Sequence, residues 1–343
     1  MSEQVKIFFA ACLYYSGLVK LARWWMRRSG QRLIILSYHR AAGGNLRGHL
    51  LYLRRHYRIL HLEVALEELF SSRATERVGD RRTPLVLTFD DGYRDNYTHA
   101  FALARELRIP ITIFLVPGYM GSGYPFPWQE GQRLASRTQV REIAFEGRTY
   151  HLDRLKERNL LARAIDLRLR HAKSVAEREA FLISIREALA VPRSVTVEEE
   201  STLPLTWDEI REMEESGWVS FGAHTMHHPM LAKLEDPSEV YCEVGQCRTL
   251  LEQKLGHPVR IFAYPFGQPE EVGNEGPQAA KAAGYDWVVT TVYGINTPQT
   301  DPHKLHRMYV DVSRYWLMMA VQASGVLNWL MLALHPRGYW WRN

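Results

Sequence analysis

The sequence predicts an α/β fold built around a barrel of parallel strands, and two observations carry this prediction. Short uncharged strand patterns alternate with stretches of helical periodicity, which is the βα rhythm of a barrel. Several strand patterns end at carboxylates, imidazoles or turn residues, and the carboxyl ends of the strands form the catalytic rim in such folds. With 343 residues, 46% of them hydrophobic and 24% charged, the chain has ample material for one large core and additions.

The clearest strand pattern runs from Pro84 to Phe89 and ends at two adjacent carboxylates. It contains apolar and β-branched residues without charge, as expected for a strand buried on both faces of a parallel sheet. Asp90 and Asp91 follow it, and Gly92 lets the chain turn. Neighbouring carboxylates repel each other and lose hydration when buried, so a metal or an acid–base role is a reason to place them there. An ordinary acidic turn is the alternative for this triplet alone.

A second motif supplies imidazoles. His224-Thr-Met-His-His228 follows the strand pattern 219–223 and places two histidines four residues apart, which face the same side if the motif forms a helical turn. Two neutral imidazoles and one carboxylate form a common open metal site, so His224 and His228 are predicted ligands, with His227 pointing elsewhere. A surface histidine cluster beside Pro229 is the alternative for this motif in isolation.

The remaining elements continue the alternation. His39, at the end of the first predicted strand 31–40, is either part of the site or a capping histidine. Phe262-Ala-Tyr-Pro-Phe-Gly267 is typical of a strand that runs into a turn, where proline and glycine let a backbone amide face a ligand. Further strands are predicted at 108–117, 260–264 and 287–292, and helices at 49–57, 62–70, 207–217, 237–255 and 278–284.

Residues 119–202 break this rhythm. A glycine-rich, aromatic stretch leads into a charged region, about 141–190, that is predicted to be helical. An insertion that leaves the carboxyl end of a strand is expected to overhang the active-site face, as a lid or a substrate-binding wall. A solvated helical pair that shields the barrel is the alternative.

Taken together and in this order, Thr88-Phe-Asp-Asp-Gly92, His224-Thr-Met-His-His228 and Tyr264-Pro-Phe-Gly267 resemble the polysaccharide deacetylases, which carry the NodB-homology domain and are also called carbohydrate esterase family 4. The resemblance covers roughly residues 33–118 and 203–310. Within the family, the chain is similar to the subgroup associated with bacterial exopolysaccharide assembly. Its supporting motifs are Ser37-Tyr-His-Arg40, Thr206-Trp-Asp-Glu-Ile210, Gly284-Tyr-Asp-Trp287 and Leu305-His-Arg307. It implies a distorted (β/α)7-type barrel formed by residues 31–118 and 203–312.

The resemblance also implies roles for individual residues. Asp91, His224 and His228 would bind a divalent metal, most often Zn²⁺, and Asp90 would be the general base. The backbone amide of Phe266 would meet the developing oxyanion. Further candidate substrate contacts are Tyr264 and Tyr93.

Two departures from the family pattern affect the catalytic residues. Ala263 stands where many members carry the arginine that orients the base, and Arg307 is predicted to take over that contact. The usual catalytic-acid histidine follows a Leu-x-His pattern, which His306 and His335 both miss. His39 and His306 therefore remain candidates for the acid.

The termini differ from the barrel in composition. Residues 1–32 carry six basic residues against one acidic residue, which equals the net charge of +5 of the whole chain. A basic tail on a balanced domain argues against nucleic-acid binding and favours a membrane surface. Residues 1–30 are predicted to form an amphipathic interfacial helix, with packing on the barrel wall as the alternative. Its basic stripe holds Ser16, Lys20, Arg23 and Arg27, opposite Phe8, Phe9, Leu21, Trp24 and Trp25.

The C-terminal residues 313–343 are apolar and aromatic. No charge occurs from Tyr315 to Leu334, and a helix is predicted that lies in the interface or packs against residues 5–28. The uncharged run 7–19 is too short to span a bilayer and lacks a signal-peptide cleavage pattern. The chain is thus predicted to associate with the bacterial inner membrane, with the catalytic domain on the cytoplasmic side. Its three cysteines predict no disulfide.

The function predicted from these features is a metal-dependent deacetylase that removes N-acetyl groups from amino sugars of a bacterial polysaccharide or a lipid-linked saccharide. Two alternatives stay open. One is a deformylase or other amide hydrolase that acts on a lipid-linked amino sugar. The other is a catalytically silent glycan-binding subunit, against which the intact set of Asp90, Asp91, His224 and His228 argues.

Overall fold

Parallel strands form the centre of the molecule. The computed structural model describes residues 3–71, 80–312 and 315–327. The strands of the described chain are β1 (Ile34–Tyr38), β2 (Arg58–Ile59), β3 (Pro84–Phe89), β4 (Ile111–Leu115), β5 (Glu142–Phe145), β6 (Arg148–His151), β7 (Val219–Ala223), β8 (Ile261–Ala263), β9 (Trp287–Val289) and β10 (Met308–Tyr309).

Seven of these strands pair in parallel in the order β10-β1-β3-β4-β7-β8-β9, and β2 pairs with β3 beside this path. The sheet curls into a half-barrel, which confirms the predicted α/β fold of the barrel class. All six residues of β3 and all five of β1 and of β4 are buried, which explains their uncharged sequences. Phe89 is in register with both Tyr38 and Ile113, so the residues that follow these strands share one rim.

Helices surround the sheet and are capped by local sequence signals. Thr206 and Glu209, for example, form a capping box at the start of a predicted helix. The helices are α1 (Glu3–Tyr15), α2 (Leu18–Arg28), α3 (Leu46–His56), α4 (Leu62–Phe70), α5 (Ala102–Leu107), α6 (Glu130–Arg137), α7 (Leu155–Arg170), α8 (Val175–Ala188), α9 (Trp207–Glu215), α10 (Pro237–Leu255), α11 (Pro269–Val272), α12 (Glu275–Ala282) and α13 (Trp316–Ala323). A π-helical turn, Asn96–Phe101, precedes α5.

The segment between β4 and α9 has a hydrophobic core of its own and is not helical throughout. Residues 142–151, predicted as helix, form the antiparallel hairpin of β5 and β6. Glu146 and Gly147 at its tip have φ values of 48° and 75°, as the tight two-residue turns of hairpins require. The buried Glu130 carboxylate pairs with Arg133 and Arg186 and joins α6 to α8. The core includes Leu134, Leu152, Leu161, Ile165, Leu182 and Leu189.

The N-terminal residues form two helices where one was predicted. Gly17 adopts a φ of 85°, and α1 and α2 meet at an angle of 63°. Helix α1 packs against α13, so the described part of the C-terminal segment lies against residues 5–28, one of the two predicted arrangements. Arg23 and Arg27 of the predicted basic stripe contact α3, through the Tyr52 hydroxyl and the His56 carbonyl.

Within the described ranges, no individual helix is both long and apolar enough to cross a bilayer, whereas the bent pair of α1 and α2 meets this criterion as a unit. The rest of the predicted C-terminal helix, residues 313–314 and 328–343, lies outside the described residues, and His335 with it.

Candidate metal and catalytic site

The three predicted metal ligands meet at the rim formed by the carboxyl ends of β3 and β7. One ligand atom from each of Asp91, His224 and His228 lies within 4.8 Å of the others, and all three residues are buried. Asp91 Oδ1 is 3.5 Å from His224 Nε2 and 3.4 Å from His228 Nε2. Ligand atoms ~2.1 Å from a tetrahedral ion stand roughly 3.4 Å apart. The cluster therefore has the dimensions of a divalent-metal site.

Hydrogen bonds and burial prepare these side chains for a cation. His224 Nδ1 lies 2.7 Å from the Ala263 carbonyl, which only accepts, so Nδ1 carries the proton and the Nε2 lone pair faces Asp91. Burial lowers the pKa of both histidines, which keeps the imidazoles neutral. Asp91 Oδ1 is buried and accepts no hydrogen bond from the part of the chain that the structure describes. A bound cation would satisfy this oxygen.

The backbone reaches this geometry without the helical turn predicted for residues 224–228. That segment is an irregular loop, in which Thr225 and His228 have φ values of 62° and 59°. The His228 amide donates to Thr225 Oγ1 at 2.9 Å, and the Met226 amide donates to the Glu243 carbonyl. Left-handed conformations cost a non-glycine residue about 1–2 kcal/mol and concentrate at functional sites. The loop therefore brings the histidines together by a different route from the predicted one.

Asp90 lies beside the cluster and is held by a buried ion pair. Its Oδ1 accepts a 2.6 Å hydrogen bond from Arg307, the contact that the sequence predicts. Ser37 Oγ donates to Oδ2 at 3.2 Å, and His39 Nε2 is 3.9 Å from the same oxygen. Burial alone would raise the pKa of Asp90, but Arg307, His39 and His224 together lower it below its usual range. Asp90 is thus an ionised carboxylate.

Arg307 is itself fixed from several directions. Its Nε donates to the Thr290 carbonyl at 2.9 Å, and its guanidinium also reaches Thr88 Oγ1 at 3.4 Å. The side chain is among the largest fully buried ones in the described chain. A planar guanidinium makes these contacts at once, whereas a lysine ammonium is a single point charge.

We expect Arg307→Lys to lower kcat/KM by roughly ten-fold, because partners that orient a functional group contribute about 10–100-fold. The weaker partner also raises the pKa of Asp90. The base then becomes protonated at a higher pH, so the acidic limb of the kcat/KM profile shifts to higher pH. A pH–rate profile of both proteins measures this shift. Unchanged activity together with an unchanged profile would refute the role of Arg307.

Three other predicted site residues lie close to Asp90 or to the metal ligands. His39 is at the rim, with 40% of its side chain exposed, and packs edge-on against Tyr309. Tyr93 is buried next to Asp91, and its hydroxyl accepts a 2.8 Å hydrogen bond from Trp128. The Phe266 ring lies 5.1 Å from the His228 ring.

Two predicted residues lie away from these groups. Tyr264 packs in the hydrophobic core, 5.1 Å from the Phe262 ring, so its side chain is not a substrate contact. His306 packs against Gly294, and its backbone is tied to Asn296. His227 points away from the cluster as predicted, with Nδ1 2.7 Å from Glu243.

Sequence reasoning missed several residues around this centre. Ser37, in the motif Ser37-Tyr-His-Arg40, donates to Asp90, a contact that the motif alone does not indicate. Trp128 lies 4.3 Å from the His228 ring, and Arg178 donates to the carbonyls of His227 and His228. They come from the insertion, where no spacing pattern distinguishes them from its many other charged and aromatic residues.

The sequence and the fold of the chain are similar to those of known proteins. The chain is 22% identical over 293 residues to the Bacillus subtilis (strain 168) protein YxkH. The aligned region covers 84% of this chain and 75% of YxkH. The fold of this chain is similar to that of IcaB from Ammonifex degensii, with a TM-score of 0.54 and 19% identity. The superposition covers 86% of this chain and 98% of IcaB. The Streptococcus pyogenes deacetylase PplD in complex with acetate is also similar (TM-score 0.52, 17% identity, 85% and 99%). The model of the family described as polysaccharide deacetylase matches residues 77–173 and 180–288, more than half of the chain. The chain therefore belongs to the polysaccharide deacetylase family.

Proposed function

We propose that this protein is a divalent-metal-dependent deacetylase that removes N-acetyl groups from amino sugars of a bacterial polysaccharide or of a lipid-linked saccharide. The family's members are hydrolases of carbon–nitrogen bonds. The observation that carries the finer proposal is the position of an arginine-paired Asp90 directly beside the buried cluster of Asp91, His224 and His228.

Each residue of the site has a chemical task in this proposal. Asp91, His224 and His228 would hold the cation, most often zinc for a set of two imidazoles and one carboxylate. A bound divalent cation supplies a Lewis acid that acidifies water and polarises an amide carbonyl. Asp90, ionised and oriented by Arg307 and Ser37, accepts the proton of the attacking water.

Two further groups would complete the reaction. Phe266 has a φ of 61°, in the turn next to His228, and its backbone amide is the proposed donor to the oxyanion. His39 is the proposed acid for the leaving amine, because it is a partly exposed imidazole next to Asp90.

Metal removal and replacement test the metal requirement. Protein dialysed against a chelator is expected to lose acetate release from N-acetylglucosamine oligomers and to regain it with stoichiometric Zn²⁺. A parallel series with Mn²⁺, Co²⁺ and Ni²⁺ ranks the other ions. Full activity of protein shown to be metal-free by elemental analysis would refute the proposal.

We also propose that the protein associates with the inner membrane through α1 and α2 and that its catalytic domain faces the cytoplasm. Phe8 is 72% exposed, Trp24 50% and Trp25 46%. Arg28 and Arg32 lie over the indole rings of Trp24 and Trp25, so aromatic and cationic groups share this surface. Exposed aromatic and basic residues together are typical of a membrane interface. The bias of positive residues towards the cytoplasm supports the sidedness.

Vesicle binding tests the membrane proposal. Protein comprising residues 1–343 is expected to sediment with vesicles that contain anionic phospholipid, and the double substitution Trp24→Ser with Trp25→Ser is expected to weaken this binding by about 10-fold or more. A matched control replaces Tyr241, an exposed aromatic on α10 away from this surface, with serine. Equal sedimentation of all three proteins would contradict the role of α2. Protease digestion of spheroplasts that leaves the catalytic domain intact supports the cytoplasmic side, and its digestion refutes it.

A further inference from the structure

The insertion and the barrel together enclose a cavity next to the metal cluster. Its volume is about 210 Å³, below the roughly 300–1,000 Å³ of pockets that bury drug-sized ligands. The cavity therefore suits one small polar unit. The residues that matter for its chemistry are His228 and Phe266 from the barrel, and Trp128, Asp166, Arg170 and Arg178 from the insertion.

Two walls of this cavity are rigid. Trp128 stacks on Phe126 at 4.5 Å with nearly parallel rings, and its indole N–H donates to the Tyr93 hydroxyl. The Arg170 guanidinium lies 4.4 Å from the Phe266 ring and forms an ion pair with Glu271. Helix α7 of the insertion is therefore tied to the turn that follows β8. A half-buried indole and a fixed guanidinium offer a flat apolar face and hydrogen-bond donors.

Asp166 contributes the acceptor. It lies one helical turn before Arg170 on α7, so both side chains project to the same side. Its Oδ1 is buried and accepts no hydrogen bond within the described ranges. The carboxylate packs against Gly131, where an added Cβ would stand 2.0 Å from Oδ1. Space for this carboxylate thus depends on a residue without a side chain.

The surroundings of Asp166 disfavour its charged form. Burial raises the pKa of this carboxyl to about 6, and the nearby backbone amide of Gly131 only partly offsets the effect. Arg178 is the other cation that lines the cavity. Its guanidinium already donates hydrogen bonds to the carbonyls of His227 and His228 and to the Tyr119 hydroxyl. The folded protein therefore holds a partly exposed, undersatisfied carboxylate in the wall of the cavity that His228 also lines.

We propose that Asp166, Arg170 and Trp128 form a subsite for a neutral pyranose unit that is covalently linked to the N-acetylated sugar in the metal centre. Vicinal hydroxyls of this sugar donate to the Asp166 carboxylate and accept from the Arg170 guanidinium, and one face of the ring packs on the Trp128 indole. The insertion thereby selects oligosaccharides over single sugars. This inference rests on the proposed deacetylase function.

The test measures binding separately from turnover. Calorimetric titration of the tetramer of N-acetylglucosamine is made into zinc-loaded Asp90→Asn and into the double variant Asp90→Asn with Asp166→Asn. The double variant is expected to bind about ten-fold more weakly. In the otherwise wild-type, active enzyme the single variant Asp166→Asn is expected to raise KM for the tetramer about ten-fold, with a change in kcat below three-fold. Its melting temperature is expected to be no lower than that of the wild type, a result that a purely structural role of Asp166 would not give.

Asp153→Asn is the matched control, because Asp153 is an exposed carboxylate shortly before α7. It is expected to leave KM, kcat and affinity unchanged. Equal affinities of Asp90→Asn with and without the Asp166 change overturn the subsite, and so does the absence of any tetramer binding by Asp90→Asn. Acetate release by the wild type combined with equal affinities refutes the subsite alone. Failure of the wild type to release acetate, with tetramer binding that depends on Asp166, refutes the deacetylase and leaves the subsite in place.

Discussion

Asp90→Asn is expected to lower kcat for deacetylation by about 10²–10⁴-fold, the range that a positioned general base contributes. The amide keeps the shape of the side chain but cannot accept the proton of the attacking water. None of the three metal ligands is changed, so the zinc content is expected to equal that of the wild type. Initial acetate-release rates at saturating substrate, with elemental analysis of the same samples, give both quantities.

The control for this variant is Asp311→Asn, which changes an exposed carboxylate close to β10. Melting temperatures are measured in parallel, because neutralising Asp90 leaves the Arg307 guanidinium buried without its counter-charge. A kcat within three-fold of the wild type, for folded and metal-loaded Asp90→Asn, would exclude Asp90 as the base.

His228→Ala is expected to weaken zinc binding by more than 100-fold and to abolish measurable acetate release. Replacing a residue that only hydrogen-bonds to a metal ligand already costs about 10–100-fold in affinity or activity, and His228 is a ligand itself in this account. Competition with a chromophoric chelator measures the affinity directly.

His227→Ala is the matched control for that variant. It removes the neighbouring imidazole of the same motif, which points to Glu243 and away from the cluster. Zinc affinity of His227→Ala is expected to match that of the wild type. If both histidine variants bind zinc equally well, the metal does not lie where this account puts it.

Both predictions depend on an arrangement that is costly for the folded chain. Asp91, Thr225, His228 and Phe266 all adopt positive φ values, although none of them is glycine. Strain of this kind persists where the surrounding structure enforces it. The Glu243 carboxylate, which accepts from the His227 backbone amide, and the Arg178 guanidinium, which donates to the carbonyls of His227 and His228, supply that enforcement. The insertion thus helps to hold the loop that carries His228.

The positions of the candidate metal ligands and of Asp90 were predictable from the sequence, because residue type and strand position determine them. The uncharged run from Pro84 to Phe89 predicts a buried parallel strand. Parallel strands end at a common rim, and Asp90 and Asp91 follow this strand there. The contact between Arg307 and Asp90 was also predicted, although 217 positions separate the two residues. That prediction came from the resemblance to the family, in which many members carry an arginine where this chain has Ala263, and from the place of Arg307 after the last clear strand pattern.

Local conformation was less predictable. A spacing of four residues fits a helical turn, but the histidine loop meets the same requirement through two left-handed residues. The Tyr264 side chain lies in the hydrophobic core and not at the predicted substrate contact. Phe262 and Tyr264 are two positions apart, so they share a face, and that face is the core.

The contacts that residues of the insertion make near His228 could not be predicted from the sequence, for a different reason. Asp166 and Arg170 are two of many charged residues in this segment, and their position beside His228 depends on how α7 packs against α6 and against the turn after β8. The hairpin at residues 142–151 was missed because its strands are mostly exposed, so they lack a buried apolar face that would mark them.

Identification of the released acid is the most direct test of the central claim. Purified, zinc-loaded wild-type protein is incubated with N-acetylglucosamine oligomers and with an undecaprenyl-linked N-acetylated sugar, and the products are followed by proton NMR. The account predicts acetate from at least one of these substrates, in amounts equal to the free amines formed, and none with Asp90→Asn. Zinc-loaded protein that releases no acetate from either substrate, but releases formate from an N-formylated lipid-linked sugar, would contradict it.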